Sequence, residues 1–224
     1  MRSLLVVVPA LLLACQADPA DETDIQDDGT QIEDEGSDTD TDDVDTDDTD
    51  TDDVLSEQSA DLLFIREEEK LARDVYDVLG AQYGTQIFQN IRQSEQGHME
   101  ALLPHILRLG LTDPIVDDST GAFTNPDLTA LYETLIDQGD VDLVAALTVG
   151  ATIEDLDIVD IANAIVRADD AELITTYERL MCGSRNHLRS YTTQLGRQGA
   201  DYTAQYLTPA ELESILAQSN EQCD

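Results

Sequence analysis

From about residue 59 onward, apolar residues recur at helical spacing, and no alternating apolar–polar run persists long enough to build a sheet. The pattern predicts a first helix over about Ser59–Gln82 and a second over Thr85–Leu109. A loop containing Asp113-Pro114 and Gly121-Ala122-Phe123 follows. Asn125-Pro126 then opens a short helix to Asp137, with Asn as cap and Pro at the first helical position, and Gly139 stops it. Two more long helices are expected over Val141–Ala168 and Asp170–Leu195. Thr208-Pro209-Ala210-Glu211 is a capping-box pattern that starts a last short helix to about Gln218. Four of these are long enough to form an antiparallel bundle with the short ones packed outside, an all-α fold.

A rotation of 100° per residue sorts each helix into faces. On the Val141–Ala168 helix, Leu143, Leu147, Ile158, Ile161 and Ile165 share a sector of roughly 60°, with Glu154 inside it and Asp157 at its edge. Asp155 is expected to point away. Leu173, Tyr177, Leu180, Met181, Leu188, Tyr191 and Leu195 form the stripe of the next helix. Ser184 and His187 lie on that stripe and Cys182 nearly opposite. On the second helix Phe88, Ile91, Met99, Leu102, Ile106 and Leu109 set the inner face, with Glu95 near its centre and His98 on its flank. His105 reads as a satisfied edge histidine, and Pro104 as a candidate kink. The first helix has an apolar sector about 200° wide that contains both Glu68 and Glu69, with Glu67 at its margin.

Charge divides the chain. The formal net charge is -38, and Gln16 to Asp53 holds 19 acidic residues and no Lys or Arg. The Asp-Thr run within it is self-repelling and almost free of apolar residues, so residues 15–56 are expected to be a disordered acidic tether. Residues 57–224 remain as the helical domain. Asp24-Ile25-Gln26-Asp27-Asp28-Gly29 lacks the ligand spacing of a calcium loop, and the strong negative charge argues against nucleic-acid binding. Residues 1–14 have the form of an export signal, with Arg2 ahead of an apolar run too short to span a bilayer. Leu12-Leu13-Ala14-Cys15 resembles a bacterial lipobox, which implies a lipid-anchored protein attached to the bilayer through acylated Cys15. Such a protein is expected at the cell envelope, on the outer membrane where the host has two. Cys182 and Cys223 remain, and an even count in an oxidising compartment favours a disulfide between them.

Four stretches place metal-ligand residue types on buried helix faces: Glu68-Glu69, Glu95-x-x-His98, Glu154-x-x-Asp157 and Ser184-x-x-His187. Isolated charge in an apolar interior costs several kcal/mol or more, so each group needs a compensating partner. Glu-x-x-His puts two ligands on adjacent turns of one face, which suits a metal pair held between helices. A satisfied polar network without metal is the alternative.

Arg66-Glu-Glu-Glu-Lys-Leu-Ala-Arg-Asp-Val-Tyr76, Ser94-Glu-Gln-Gly-His98, Gly150-Ala-Thr-Ile-Glu154 and Gly183-Ser-Arg-Asn-His-Leu-Arg189 closely resemble a ferritin-like family of bacteria and archaea that has no settled activity. The likeness spans about Leu62 to Arg197. The wider superfamily, which includes rubrerythrins and bacterioferritins, binds two irons or manganeses through Glu and Glu-x-x-His ligands on four helices. Its first-helix Glu has a small residue at +3 and a Tyr at +7, a register that Glu69 meets with Ala72 and Tyr76. Glu95, His98, Glu154 and His187 match the other ligands, whereas Ser184 stands where the last Glu is expected. Asp157 is a candidate replacement; otherwise the site is asymmetric, holds one metal or has lost its metal.

The resemblance implies a ferritin-like four-helix bundle carrying two metal ions, iron or manganese, with a redox or metal-handling role. The chemistry would be of an oxidase or peroxidase type, acting on a small-molecule oxidant or a metal ion. Tyr76, Tyr177 and Tyr191 are candidate hydrogen-bond or electron donors. The alternative is a metal-free structural or binding module displayed on an acidic stalk. A homodimer is open to either, but a closed 24-subunit shell is obstructed by a long charged stalk and a membrane anchor on every subunit.

Overall fold

The computed structural model describes residues 49–223, with side chains from residue 57. They form six helices and, among the described residues, no strand: α1 Thr49–Tyr83, α2 Gln86–Arg108, α3 Pro126–Gly139, α4 Leu143–Arg167, α5 Ala171–Arg197 and α6 Pro209–Leu216. Several boundaries have a local cause. The Asn125 side chain accepts from the Asp127 amide, Asp142 from Ala145, and Asp170 from Glu172 and Leu173, satisfying amides a helix start leaves free. Thr208 and Glu211 make the reciprocal bonds of a capping box. Gly110, at φ 69°, closes α2 by turning the chain through the left-handed region. α2 runs unbroken through Pro104.

α1 starts at Thr49, inside the segment assigned to the tether, because extending a nucleated helix gains one hydrogen bond per residue. The signal segment, Cys15 and the tether as far as residue 48 lie outside the described residues. No described helix is long and apolar enough to cross a membrane.

The four long helices touch in a closed ring, α1 to α2, α2 to α5, α5 to α4 and α4 to α1. α3 lies on α1 and α4, and α6 touches α5. α1 therefore meets three helices, which explains its wide apolar sector. The loop between α2 and α3 covers its remaining side, so residues 65–76 are buried around the whole circumference. Its charged side chains sort accordingly. Arg66 pairs with Asp113 at 2.9 Å, Lys70 with Asp74 at 2.6 Å and Arg73 with Asp118 at 2.6 Å. Glu67, expected at the margin, accepts from the Thr124 and Asn125 amides at 2.5 and 3.2 Å. All of these belong to the loop clamp; Glu68 and Glu69 do not.

The interior has three layers. Tyr76, Phe88, Leu147, Tyr191 and Leu195 centre one apolar cluster; Leu62, Ile65, Leu102, Ile106 and Tyr177 centre the other. In sequence every long helix passes from one cluster to the other through its polar pair, so the polar groups form a belt between them.

Asp155 does not point into solvent. It is fully buried and accepts from the Tyr202 hydroxyl and the Gln205, Tyr206 and Leu207 amides, which lie 2.6–3.2 Å from its oxygens. The segment between α5 and α6 folds over α4 and covers that face, which periodicity within α4 cannot reveal. The Cys182 and Cys223 sulfurs lie at disulfide distance, 2.03 Å, tying the chain end to α5.

Candidate metal centre

One residue from α1, two from α2, one from α4 and one from α5 converge in the polar belt. Their donor atoms fall into two groups, Glu69, Glu95 and His98, and Glu95, Glu154 and His187, each with all donors within 4.8 Å of one another. Donors about 2.1 Å from a shared ion lie roughly 3–4 Å apart, so both groups are near binding separation. Glu95 belongs to both. Its Oε2 is 2.7 Å from His98 Nδ1 and its Oε1 is 2.9 Å from His187 Nδ1. Each histidine also faces a second carboxylate: His98 Nδ1 is 3.1 Å from Glu69 Oε2, and His187 Nδ1 is 3.3 Å from Glu154 Oε2.

The outer contacts orient this set. The Tyr76 hydroxyl donates to Glu154 Oε1 at 2.6 Å, leaving Oε2 to face His187. Tyr76 packs on Tyr191 with ring centroids 5.5 Å apart. The imidazoles stack at 5.6 Å and sit at the edge of the belt, 13% and 11% exposed, whereas the three carboxylates are at most 2% exposed.

Electrostatically the cluster lacks positive charge. Burial pushes Glu69 up to about 8, against the pull of His98. Burial also raises Glu154, against the pull of His187. Burial would raise Glu95 too, but His98 and His187 outweigh it and hold its carboxyl well below the usual range. The carboxylates in turn overcome burial at the imidazoles: Glu69 and Glu95 raise His98 well above its ordinary value, and Glu95 and Glu154 push His187 up to about 10. A metal-free cluster thus places two stacked imidazoles under pressure to be cations. Even so, Glu69 Oε1, both oxygens of Glu95 and Glu154 Oε2 lack a well-aligned hydrogen-bond donor.

Glu68 and Asp157 belong to neither group. They are 2% and 1% exposed, and burial together with neighbouring carboxylates raises both well above the usual range. Ser184 is fully buried, and its hydroxyl donates to the Leu180 carbonyl of its own helix at 3.2 Å, so it adds nothing to either group. His105 is bound by Thr176 at 2.9 Å and lies outside both groups, as an edge histidine does.

The model of the family described as "Uncharacterized protein domain (DUF2202)" matches residues 58–219. The chain belongs to that family. It is 45% identical over 168 residues to the uncharacterized protein MJ0754 of Methanocaldococcus jannaschii, covering 75% of this chain and 91% of that protein. It is similar in fold to the crystal structure of hypothetical protein MJ0754, with a TM-score of 0.72 and 45% identity, over 73% of this chain and 93% of the other. The DUF2202 match encloses every residue of both groups.

Two glycines of this DUF2202 chain shape the site, and helical facing alone does not reveal their role. A Cβ at Gly183 would stand 2.7 Å from His98 Nε2, and one at Gly150 would stand 2.4 Å from the Tyr191 ring. Both glycines lie inside helices, where glycine costs up to about 1 kcal/mol, and that cost is the sequence signal for a close approach.

Proposed function

We propose that this chain folds as a ferritin-like four-helix bundle whose polar belt binds two divalent metal ions, iron or manganese, in a metal-handling or redox role. Glu69 and His98 would hold one ion, Glu154 and His187 the other, with Glu95 giving one oxygen to each. That division of Glu95 is the observation that carries the proposal, since a single ion needs no carboxylate shared between two histidine-containing groups. The donor set fits: carboxylate and imidazole suit both metals. Two divalent ions would bring four positive charges to Glu69, Glu95 and Glu154 and would supply the partners that their orphaned oxygens lack.

Bound redox-active ions would supply electrons for a small-molecule oxidant such as dioxygen or peroxide. The chain's own residues set the conditions for that. Glu69, Glu95 and Glu154 neutralise charge, Tyr76 fixes the Glu154 carboxylate, and the two apolar clusters keep water from all but the histidine edge. Ser184 leaves one carboxylate fewer than the superfamily pattern on the α5 side. A lipid anchor at Cys15 would place it at the cell envelope.

Protein expressed with iron, manganese or zinc supplied should carry about two ions per chain. Glu95→Ala should carry none, and His98→Ala should lose the ion on its side. Wild-type protein without stoichiometric metal, and with a melting temperature unmoved by chelators, refutes the proposal in favour of a metal-free module.

A further inference from the structure

Beside the proposed centre lies a set of carboxylates that it does not use. No N–H or cationic group of the described residues hydrogen-bonds any of the four oxygens of Glu68 and Asp157, though both side chains are almost wholly buried, and the polar group beside Glu68 is another carboxyl, that of Asp160. Both line one small cavity, walled by Leu131, Leu135, Ile153 and Tyr206, with room for a single water-sized occupant. Glu68 faces Asp160, which is half-buried at the protein surface. Asp157 in turn feels Glu68 on one side and Glu69, Glu154 and Glu95 on the other.

The register of α4 explains this placement. Glu154, Asp157 and Asp160 are spaced three residues apart, so successive side chains step about 60° around α4 and climb about 4.5 Å each. Glu68 on α1 stands across from the upper two. The nearby Arg167 offsets part of the charge at Asp160, but its guanidinium is held by Asp61 at 2.7 and 2.8 Å. A proton shared between Glu68 and Asp160 would satisfy that pair and still leave both Asp157 oxygens bare. A cation within the cavity would satisfy Glu68 and Asp157 together.

We propose that Asp160, Glu68 and Asp157 form a transit route that passes a divalent cation from the surface to the two-metal centre. The route rests on the metal-binding function proposed above. Oxygen-only ligands suit a passing divalent ion. The imidazoles needed to retain a transition metal lie at the end of the path, not along it. A charged passage of this kind raises the local cation concentration and the association rate by ~10-fold or more.

Cobalt(II) tests the route, with loading of full-length metal-free protein followed by visible absorption after rapid mixing, and final stoichiometry by elemental analysis. Glu68→Gln/Asp160→Asn should reach the wild-type stoichiometry about ten times more slowly. Asp160→Lys, at the half-buried mouth, should slow loading further still, in protein whose fold is checked by circular dichroism. Wild-type loading rates in both variants overturn the route. So does a lower final stoichiometry in Glu68→Gln/Asp160→Asn, which would make these residues ligands rather than a passage. Failure of the wild-type protein to take up cobalt refutes the centre itself, and the route with it.

Discussion

Gly183→Ala separates the architecture of the helices from the function proposed for them. The added methyl would lie 2.7 Å from His98 Nε2 and 2.9 Å from its Cε1, so the imidazole must retreat by at least about 0.7 Å to reach ordinary contact at 3.4 Å. The clash is with the far end of a side chain that is 13% exposed, so His98 can swing outward at little cost. Overpacking a closed core costs about 1–3 kcal/mol, and at this edge the lower figure applies. Replacing glycine inside a helix returns roughly 0.5–1 kcal/mol. The two nearly cancel, and chelated Gly183→Ala should melt within about 4 °C of chelated wild type by calorimetry. Metal binding tolerates far less, because metal–ligand distances hold to about ±0.2 Å. The ion between Glu69, Glu95 and His98 should therefore bind at least about 10-fold more weakly, while the His187 side keeps its ion. Unchanged affinity at both positions refutes the placement of His98 as a ligand. A melting temperature lowered by more than about 10 °C refutes the claim that only the site is disturbed.

Two further perturbations test other parts of the structure. In chelated protein, His187 is pushed up to about 10 by Glu95 and Glu154 in spite of burial, and burial raises Glu69 to about 8, so the fold keeps protons that the unfolded chain releases near 6.5 and 4.5. Stability should then fall as pH rises from about 6.5 to 8, by about 1.4 kcal/mol per pH unit for each retained proton. Metal displaces those protons, so loaded protein should lack the decline, and a flat or rising pH profile of the chelated form contradicts the charge assignment. Asp155→Asn should cost about 2–4 kcal/mol in denaturant unfolding and speed proteolysis near Tyr202–Thr208, because it turns an amide donor toward one hydroxyl and three backbone N–H groups. A cost below about 0.5 kcal/mol means that the segment is held by something else.

Helices were legible where the cause of their ends is local. Asn125-Pro126 and the Thr208–Glu211 capping box each act within a few residues, and the structure places those starts as expected, whereas Gly139, read as the stop of its helix, is its last helical residue and lies against Leu79. What the sequence hid lies between elements. Glu67, Glu68 and Glu69 are identical side chains in consecutive positions, yet they cap α3, face a cavity and join the centre, respectively. Rotation per residue separates them by 100° each, but only the neighbours of α1 decide what each direction means. Asp155 was misread for the same reason: the face opposite the ring is solvent only until the segment after α5 is laid across it.

The centre was more legible than its surroundings because ligand pairs are encoded within single helices. Glu95 and His98 meet the same neighbours by their spacing alone, and one apolar stripe fixes His187. Replacing the missing fourth-helix carboxylate by Asp157 required knowing which way α4 faces α1, and there the outcome differs from a simple exchange. Asp157 stays outside both donor groups, and the neighbouring Glu68 carboxyl opposes its ionisation. The belt thus holds five acids asymmetrically arranged, three at the histidines and two behind them. An arrangement selected only to keep a metal-free core folded would have every reason to lose the rear two, since burying unpaired carboxylates costs several kcal/mol each. A proton shared with Asp160 answers for Glu68 alone; both Asp157 oxygens keep empty hydrogen-bonding capacity, and a cation that visits them would supply the missing compensation.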